Sequence, residues 1–541
     1  MNTPTDKDST AEFDLAERVR EKQQPLTARL APQYDFIVCG AGSSGSVIAR
    51  RLAENPDASV LLLEAGGSDD VPSITEAKLW PSNLGSDRDW NFQSAPDPLV
   101  NGRSIPFSMG KALGGGSSVN LMIWARGHQS DWDHFASESG EAAWKYNSVL
   151  DLYRDIEDWH GEDDPTYRGT GGPVFVQPAP DPHPLAAATV DAARAIGIPT
   201  YQSPNGRLME ASRGAAIIDL RSRDGKRLSV YRTYVSPYLD KPNLTVMPHA
   251  LVTRVLFAGS RAAGIEIIHD GTLRSVAASA EVVLSLGAIN TPKVLMQSGV
   301  GDEAELRSAG ITVRQHLPGV GRNFQDHFGF DCVWEFPEGI PGSTQVGSAV
   351  FWDTGSDIDG PDLFACLGPF PKSTPENVAR FGLPDNSWIL FGAPTHPKSR
   401  GRLRLSGPDP MNPIRIEANA LSHPDDLKLA MTCVETLREI GNSAQLRPFV
   451  KREVMPGDLA GAELQNYLRD AVTTYWHESG TAKMGRDSMS VVDGHLKVYG
   501  IDNLRVADAS IMPRITSANT MAPCVVIGER AAQFIKAEHT Q

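Results

Sequence analysis

The feature that most constrains the fold is a strand, a glycine-rich turn, a helix and a second strand between residues 34 and 64. Residues 34–39 (YDFIVC) form a short apolar run that ends at glycine, which is typical of a buried parallel strand. The turn at 40–45 reads G-A-G-S-S-G, and an apolar-striped stretch and the run VLLLE at 60–64 follow it. This order predicts the first βαβ unit of an α/β fold.

Each glycine of the turn has its own physical task. Gly40 permits the tight turn, Gly42 lets the backbone approach a pyrophosphate, and Gly45 lets helix and strand pack closely. The N-terminus of the following helix offers free N–H groups and a positive dipole end to phosphates. Glu64 ends the second strand, where its carboxylate can accept hydrogen bonds from an adenosine ribose. The unit therefore predicts dinucleotide binding. The fingerprint alone does not separate FAD from NAD, and Glu64 argues against a 2′-phosphate.

Length and composition narrow the class of protein. A chain of 541 residues is too long for one ordinary core, so two or more domains are expected. The net charge of −15 disfavours nucleic acid or an anionic membrane as the main partner. No apolar run approaches the roughly 20 residues that a membrane helix needs. The five cysteines are scattered without a C-x-x-C pair, so we expect reduced thiols, no zinc site and a cytoplasmic protein.

The pattern beyond residue 160 indicates a domain that is inserted in pieces. Residues 163–173 are rich in Gly, Pro and Asp, which is typical of a boundary loop. Strand-like runs occur at 245–247, 252–257, 263–268, 282–284, 330–335, 388–391, 401–405 and 414–417, and helical runs at 185–195 and 425–441. We predict a discontinuous Rossmann-like nucleotide domain with an inserted α+β substrate-binding domain. The predicted boundaries are an extension at 1–33, a nucleotide domain at 34–160, 225–325 and 478–541, and a substrate domain at 161–224 and 326–477.

Four further segments contain residues that are suited to ligand binding or catalysis. Residues 110–120 (GKALGGGSSVN) form a tight loop whose exposed amides can line a flat ligand. Residues 287–301 predict a helix that has Thr291 as its N-cap and Pro292 at its first position. Residues 318–327 (PGVGRNFQDH) end in Asp326 and His327, which we interpret as a structural turn because no second metal ligand follows at helical spacing. The fourth is a pair of strings, YWHESGTAKMG at 475–485 and NLRVADASIMP at 503–513 with SANTMAP at 517–523.

Together these strings resemble the glucose-methanol-choline (GMC) oxidoreductase family, which uses FAD. The glycine–serine loop is similar to the family's first signature and residues 287–301 to its second. The patterns V-G-x-N-x-Q-D-H and H-x-x-G-T-x-x-M-G also recur there. Five such segments in the family order make coincidence implausible. The resemblance covers nearly the whole chain from residue 34 to residue 535, and extends in particular to bacterial members that oxidise alcohols, choline and sorbose.

The resemblance implies an extended FAD, with its ADP half on the first fingerprint and its isoalloxazine near the C-terminal strings. The cofactor-binding residues that it implies are Gly40, Gly42, Ser43, Ser44, Gly45, Glu64, Gly115, Ser118, Asn120, Val252, Asp508, Ala509, Thr520 and Met521. Some family members attach FAD covalently through a histidine just before the glycine–serine loop. Residues 105–109 (IPFSM) contain no histidine, so we predict a dissociable FAD.

His477 is similar to the family's active-site histidine, and Asn519 to its partner. Oxidising an alcohol requires removal of the hydroxyl proton while hydride leaves the carbon for flavin N5. A neutral imidazole, with an unperturbed pKa of about 6.5, is well suited to take that proton near neutral pH. Asn519 can donate to or accept from the same oxygen without adding charge. Trp476 either walls the substrate pocket or packs in the core.

The resemblance implies oxidation of the CH–OH group of a small, primary alcohol, with electrons passing to oxygen or to a quinone- or dye-like acceptor. Choline-oxidising relatives hold the quaternary ammonium with an acid. The apparently matching stretch 343–351 contains no Asp or Glu, so we predict an uncharged alcohol. The alternatives are a choline- or sorbose-type dehydrogenase, a non-redox lyase or decarboxylase of the same fold, and an NAD-linked enzyme or nucleotide-sensing module.

Overall fold

A computed structural model of the protein describes residues 21–539, so residues 1–20 of the predicted extension lie outside it. The described start of the chain docks beside the nucleotide domain. Gln23 Nε2 donates to the carbonyl oxygens of Leu239 at 2.9 Å and Leu244 at 3.0 Å, and its Oε1 accepts from Val246 N at 3.1 Å. Within residues 21–539, none of the helices combines the length and apolar character that a bilayer crossing requires.

The nucleotide domain is built on a seven-stranded sheet. Its strand order is Leu244–Met247, Val60–Leu63, Gln33–Cys39, Thr272–Leu284, Arg261–His269 and Ala250–Ala258, and Leu504–Val506 also pairs with Thr272–Leu284. The strands around Gln33–Cys39 pair in parallel, whereas the last two of the order are antiparallel. The fully buried Ile37, Val38 and Cys39 explain the apolar run. Because the strand Leu504–Val506 lies more than 200 residues after the other six strands in sequence, the domain is discontinuous.

The helix Ser43–Ala53 closes the first βαβ unit as the sequence predicts. Val47, Ile48 and Leu52 are buried on one face of it. A Cβ at Gly45 would lie 1.9 Å from the carbonyl oxygen of Gly40, so only glycine permits this approach of helix and turn. Gly40 itself has φ +99°, the left-handed region that favours glycine.

A second, antiparallel seven-stranded sheet forms the other half of the molecule. Its order is Arg452–Met455, Phe328–Glu335, Ser387–Pro394, Leu363–Gly368, Ser348–Trp352 and Gly214–Ile217, and Thr473–Thr474 also pairs with Phe328–Glu335. The helix Pro424–Gly441 lies against this sheet so closely that a Cβ at Gly392 would meet Cys433 Sγ at 2.5 Å. Trp334 and Trp388 stack in its core with ring centroids 4.5 Å apart.

The remaining elements connect and cover these two sheets. A four-stranded sheet of Ile123–Trp124, Asp219–Leu220, Val174–Pro178 and Glu157–Trp159 takes strands from both sides of the boundary predicted at residue 160. The α-helices outside the first βαβ unit are Pro72–Thr75, Gln129–Ser139, Tyr146–Ile156, Pro184–Ala195, Gly287–Gln297, Glu303–Ser308, Pro375–Phe381, Pro424–Gly441, Gly461–Ala471 and Met521–His539. The two-stranded ladders are Phe92–Gln93 with Pro106–Phe107, Ser222–Arg223 with Lys226–Arg227, Val300–Gly301 with Gln315–His316, and Arg402–Arg404 with Arg415–Glu417. The domain boundaries themselves stay a prediction.

The predicted start of one helix is wrong. The helix begins at Gly287, four residues before Thr291, so Thr291 and Pro292 lie inside it. Its first N–H is capped by a distant group, because Gly287 N donates to Asp508 Oδ2 at 2.9 Å. Pro292 has no N–H and deprives the Ala288 carbonyl of its helical partner. The hydroxyl of Thr481 donates to that carbonyl at 2.5 Å and replaces the lost bond.

Candidate active site

A single cavity of about 350 Å³ brings most of the predicted site residues together. The predicted residues on its wall are Gly40, Gly42, Ser43, Ser44, Glu64, Gly115, Asn120, Val252, Trp476, His477, Asp508, Ala509, Asn519, Thr520 and Met521. Gly45 and Ser118 lie behind the wall. Gly45 is packed against Gly40, and Ser118 Oγ donates to the Leu113 carbonyl at 2.6 Å. His477 and Asn519, the residues predicted to be catalytic, therefore share one cavity with the nucleotide fingerprint.

The fingerprint end of the cavity has the features that a pyrophosphate and a ribose need. No atom lies within 4 Å of the point where a Cβ at Gly42 would stand, so the backbone is open to a ligand there. The helix that follows presents its N-terminus to the cavity. Glu64 accepts hydrogen bonds from Ala41 N at 3.1 Å and Gly66 N at 2.9 Å. Burial raises the pKa of Glu64 to about 7. These residues fit the ADP half of a dinucleotide.

The glycine–serine loop is packed against the fingerprint and is not a free turn. Gly114 N donates to the Ala41 carbonyl at 2.8 Å. Gly114 has φ +93° and Gly115 has φ +52°, and a Cβ at Gly115 would lie 2.8 Å from Gly42 Cα. This close approach explains why the loop needs consecutive glycines.

Asn120 follows that loop and joins it to the C-terminal helix. Its Nδ2 donates to Met521 Sδ at 3.1 Å, and its Oδ1 accepts from Arg227 Nη1 at 2.9 Å. Met521 opens the helix Met521–His539, which reaches the fingerprint helix so closely that a Cβ at Gly528 would lie 2.7 Å from Ser44 O. Segments that are about 400 residues apart in sequence thus form one wall.

The predicted catalytic pair, His477 and Asn519, also lies on the cavity wall. His477 Nε2 and Asn519 Nδ2 are 3.1 Å apart, and the two residues are 42 positions apart in sequence. His477 is only 7% exposed, and both side chains contact the cavity. The side chain of Asn519 thus faces the imidazole of His477.

A second histidine fixes the orientation and the tautomer of His477. His327 Nε2 lies 2.8 Å from the Thr395 carbonyl oxygen, which only accepts, so this nitrogen carries the proton. The unprotonated Nδ1 of His327 then accepts from His477 Nδ1 at 2.8 Å. The unprotonated Nε2 of His477 faces Asn519 and accepts from its Nδ2 at 3.1 Å. Burial lowers the pKa of His327 to about 3, and burial together with His327 holds the pKa of His477 well below its usual range. Both imidazoles are therefore neutral at pH 7.

Asp326 supports the backbone on which His477 stands. The preceding residue, Trp476, has φ +61°, a conformation that costs a bulky residue about 1–3 kcal/mol. Asp326 Oδ1 accepts from His477 N at 3.0 Å, and its Oδ2 accepts from the hydroxyl of Thr474. The same hydroxyl accepts from Trp476 N at 2.6 Å. The carboxyl group thus holds both sides of the strained residue, and burial raises its pKa.

Our interpretation of Asp326 and His327 as only a structural turn is therefore wrong. The pair orients the side chain and the backbone of His477. Within residues 21–539, no group of three or more His, Cys, Asp or Glu side chains is placed to hold an ion. The Asp-His dipeptide was a visible signal. Its partner, His477, lies 150 residues away, and helical spacing does not find such a partner.

The comparison with known proteins identifies the family. The GMC oxidoreductase family profiles match residues 34–329 with the N-terminal domain and residues 397–528 with the C-terminal domain. The chain belongs to the GMC oxidoreductase family. It is thus an oxidoreductase, and the predicted α/β architecture with an inserted α+β domain is confirmed. Membership of this family also agrees with FAD as the predicted cofactor.

Relatives of this GMC protein act on several substrates. It is 34% identical over 534 residues to the oxygen-dependent choline dehydrogenase of Sinorhizobium medicae, covering 93% of this chain and 95% of the relative. It is also 34% identical to the alcohol dehydrogenase (acceptor) of Pseudomonas putida, at the same coverages. Pyridoxine 4-oxidase from Mesorbium loti has a similar structure, with a TM-score of 0.87, 30% identity and coverages of 92% of this chain and 98% of the relative. A formate oxidase from Aspergillus oryzae RIB40, studied for modification of its FAD, has a TM-score of 0.85 at 25% identity and covers 94% of this chain and 99% of the relative.

The basis for predicting an uncharged substrate is wrong. None of residues 343–351 lies on the wall of the cavity, because this stretch leads into the strand Ser348–Trp352 of the second sheet. The absence of an acid there says nothing about the charge of the substrate. The wall does contain a buried acid, Glu478, which follows His477 in sequence.

Proposed function

We propose that this GMC oxidoreductase binds FAD without a covalent bond and oxidises a small primary alcohol to the aldehyde, with His477 as the base. The observation that carries the proposal is the unprotonated Nε2 of His477, which is fixed by His327 and accepts from Asn519 Nδ2 on the wall of the cofactor cavity. The curated relatives named as choline and alcohol dehydrogenases support a CH–OH donor.

The residues divide the work as follows. His477 Nε2 accepts the hydroxyl proton of the alcohol, and Asn519 holds the same oxygen through a hydrogen bond. When it is bound, FAD supplies the acceptor for the hydride that leaves the carbinol carbon. His327 Nδ1 accepts the Nδ1–H of His477 throughout, so the positive charge gained with the proton is partly shared. Because burial holds the pKa of His477 low, the proton departs readily once the product has formed.

Non-covalent binding is supported by the residues around the glycine–serine loop. Among the histidines of residues 21–539, only His477 lies on the cavity wall. Phe107, in the segment where some relatives carry the attaching histidine, is buried against Phe324, with ring centroids 5.6 Å apart. Acid precipitation of the holoenzyme should release a yellow supernatant. A colourless supernatant over a yellow pellet would refute a dissociable FAD.

The base is tested by the rate of flavin reduction without oxygen. Replacing His477 with alanine should leave a yellow holoenzyme whose reduction by a primary alcohol is about 10²- to 10⁴-fold slower, the usual contribution of a general base. His160, which is exposed and outside the cavity wall, provides the matched control as His160→Ala. An unchanged reduction rate in His477→Ala would remove this residue from the mechanism.

Anaerobic flavin reduction, measured with a set of aliphatic, aromatic and polyol alcohols, also separates the remaining alternatives. Bleaching of the flavin by an alcohol distinguishes oxidation from a lyase or decarboxylase reaction. A flavin spectrum of the purified protein excludes an NAD-linked enzyme. Repeating the flavin reduction in air with peroxide detection, and then with a quinone, identifies the electron acceptor.

A further inference from the structure

Asn519 stands on a segment that has no regular secondary structure of its own. Residues 512–520 lie just before the C-terminal helix and belong to no helix or strand. Side chains from elsewhere in the chain, those of Gln325 and Asp131, accept backbone N–H groups of this segment. Of the two contacts, the one nearer to Asn519 in sequence is the hydrogen bond from Ser517 N to Asp131 Oδ2, at 2.8 Å. The position of Asn519 therefore depends on side chains that are distant in sequence.

Asp131 holds Ser517 by two hydrogen bonds to one carboxylate oxygen. Besides the backbone N–H, the hydroxyl of Ser517 donates to Asp131 Oδ2 at 2.7 Å. Asp131 is itself fixed, because it lies in the first turn of the helix Gln129–Ser139 and accepts from His128 N at 2.8 Å as part of the helix cap. Asp131 and Ser517 are both only 1% exposed, so water does not compete for these hydrogen bonds. The carboxylate is thus a rigid anchor for the segment that carries Asn519.

A buried histidine holds the other carboxylate oxygen. Burial alone would raise the pKa of Asp131, but hydrogen bonds, first that from His396, hold it well below its usual range, so the group is ionised at neutral pH. His396 Nε2 lies 2.8 Å from Asp131 Oδ1, which only accepts, so this nitrogen donates. His396 follows Thr395, whose carbonyl accepts from His327 Nε2. Thr395 and His396, neighbours in sequence, therefore support the two sides of the predicted catalytic pair.

We propose that Asp131 is a positioning residue, which places the Asn519 amide against the His477 imidazole by holding Ser517. The inference rests on the proposed alcohol oxidation and adds a residue that acts from behind the site, since Asp131 does not lie on the cavity wall. Without Asp131, the N–H and the hydroxyl of Ser517 lose their shared acceptor, and the segment is free to move. A displacement of about 1 Å at a reacting group can slow a reaction by about 10²-fold.

A double-mutant cycle read by nitrogen NMR tests this without turnover. The holoenzyme is isotopically enriched at its histidine ring nitrogens, and the resonance of His477 Nε2 is identified by its loss in His477→Ala. This resonance reports whether the Asn519 amide still donates to the ring. We expect Asp131→Ala to move it in the same direction as Asn519→Ala does, and the double variant to match Asn519→Ala alone. Asp131→Asn should move it less, because an amide oxygen is a weaker acceptor than a carboxylate.

The limiting rate of anaerobic flavin reduction is the second measurement on the same variants. Asn519→Ala should be about 10²-fold slower than the parent, since loss of one positioned donor usually costs at least that much. Asp131→Ala should be about 10- to 100-fold slower. The double variant should stay within about 2-fold of Asn519→Ala, because Asp131 acts through Asn519. Where Asp131→Ala does not fold, Asp131→Asn takes its place in both cycles.

Asp35→Ala provides the matched control. Asp35 Oδ2 accepts from the N–H of Ser59 at 2.8 Å and from its hydroxyl at 2.7 Å, the same two distances as in the Asp131 contact, but Asp35 lies outside the cavity wall. It should leave the His477 resonance and the reduction rate unchanged. An unshifted resonance in the Asp131 variant, or losses of rate that multiply with those of Asn519→Ala, would overturn the proposal. If no alcohol reduces the flavin of the parent, the proposed oxidation is refuted, whereas the NMR cycle still decides the role of Asp131.

Discussion

Changing His327 tests whether one hydrogen bond fixes the tautomer of the base. His327 Nδ1 accepts the Nδ1–H of His477 at 2.8 Å, and both rings are buried. Without that acceptor, the N–H of His477 stays buried and unpaired at a cost of about 1–3 kcal/mol. The imidazole then moves its proton to Nε2, where the Asn519 amide accepts it after turning its Oδ1 toward the ring. The tautomer that acts as a base should fall about 5- to 100-fold, and the rate of flavin reduction with it.

Two amide variants separate this effect from a packing defect. The asparagine amide reaches the position of the imidazole Nδ1, so His327→Asn keeps an acceptor for His477. The glutamine amide reaches the position of Nε2, so His327→Gln keeps only the donor to the Thr395 carbonyl. We expect slow anaerobic flavin reduction in His327→Gln and a nearly normal rate in His327→Asn. The pH profile of the reduction rate should change shape only in the glutamine variant. Equal rates in the two variants would refute the tautomer argument.

Three further changes test the cavity and its supports. Gly45→Ala should destabilise the apoprotein by at least about 1–3 kcal/mol because of its clash with a backbone carbonyl, whereas Gly42→Ala should keep a normal melting temperature and lose FAD affinity. Thr481→Val should lower the free energy of unfolding by about 1–3 kcal/mol, since a buried helix carbonyl loses its donor; an unchanged denaturant midpoint would contradict this. Because the pKa of Glu478 is raised, folding takes up a proton above about pH 4.5, and the wild type should lose up to about 1.4 kcal/mol of stability per pH unit relative to Glu478→Gln as the pH rises. Parallel melting temperatures of the two proteins from pH 5 to pH 7 would refute that last expectation.

Local sequence strings were sufficient to predict the βαβ unit that forms one part of the cavity wall. Gly45 and Glu64 are specified by contacts inside one βαβ unit, so their spacing carries the information. His477 and Asn519 were predicted from the resemblance to the family. They are 42 positions apart, and local propensities cannot predict that two such distant residues meet. The strand-like runs at 245–247 and 330–335 were also recognisable, because they are rich in β-branched, aromatic and other apolar residues.

The rest depends on long-range pairing that local patterns do not encode. His327 meets His477 because Phe328–Glu335 pairs with Thr473–Thr474, and nothing in either string specifies that register. The helix start at Gly287 was missed for the same reason, since the group that caps it, Asp508, lies 221 residues away. The substrate charge was inferred from a stretch whose distance from the cavity only the fold reveals.

The late arrival of the strand Leu504–Val506 has a consequence for synthesis in the cell. The fingerprint leaves the ribosome early. The strand Leu504–Val506, which completes its sheet, and Asn519 are synthesised near the end of translation. At usual elongation rates, this delay is on the order of a minute. During that time the half-built sheet has an uncovered apolar edge. We therefore expect FAD to be loaded late, because a chain that ends just before residue 500 contains the fingerprint and His477 but lacks Asn519 and the strand Leu504–Val506.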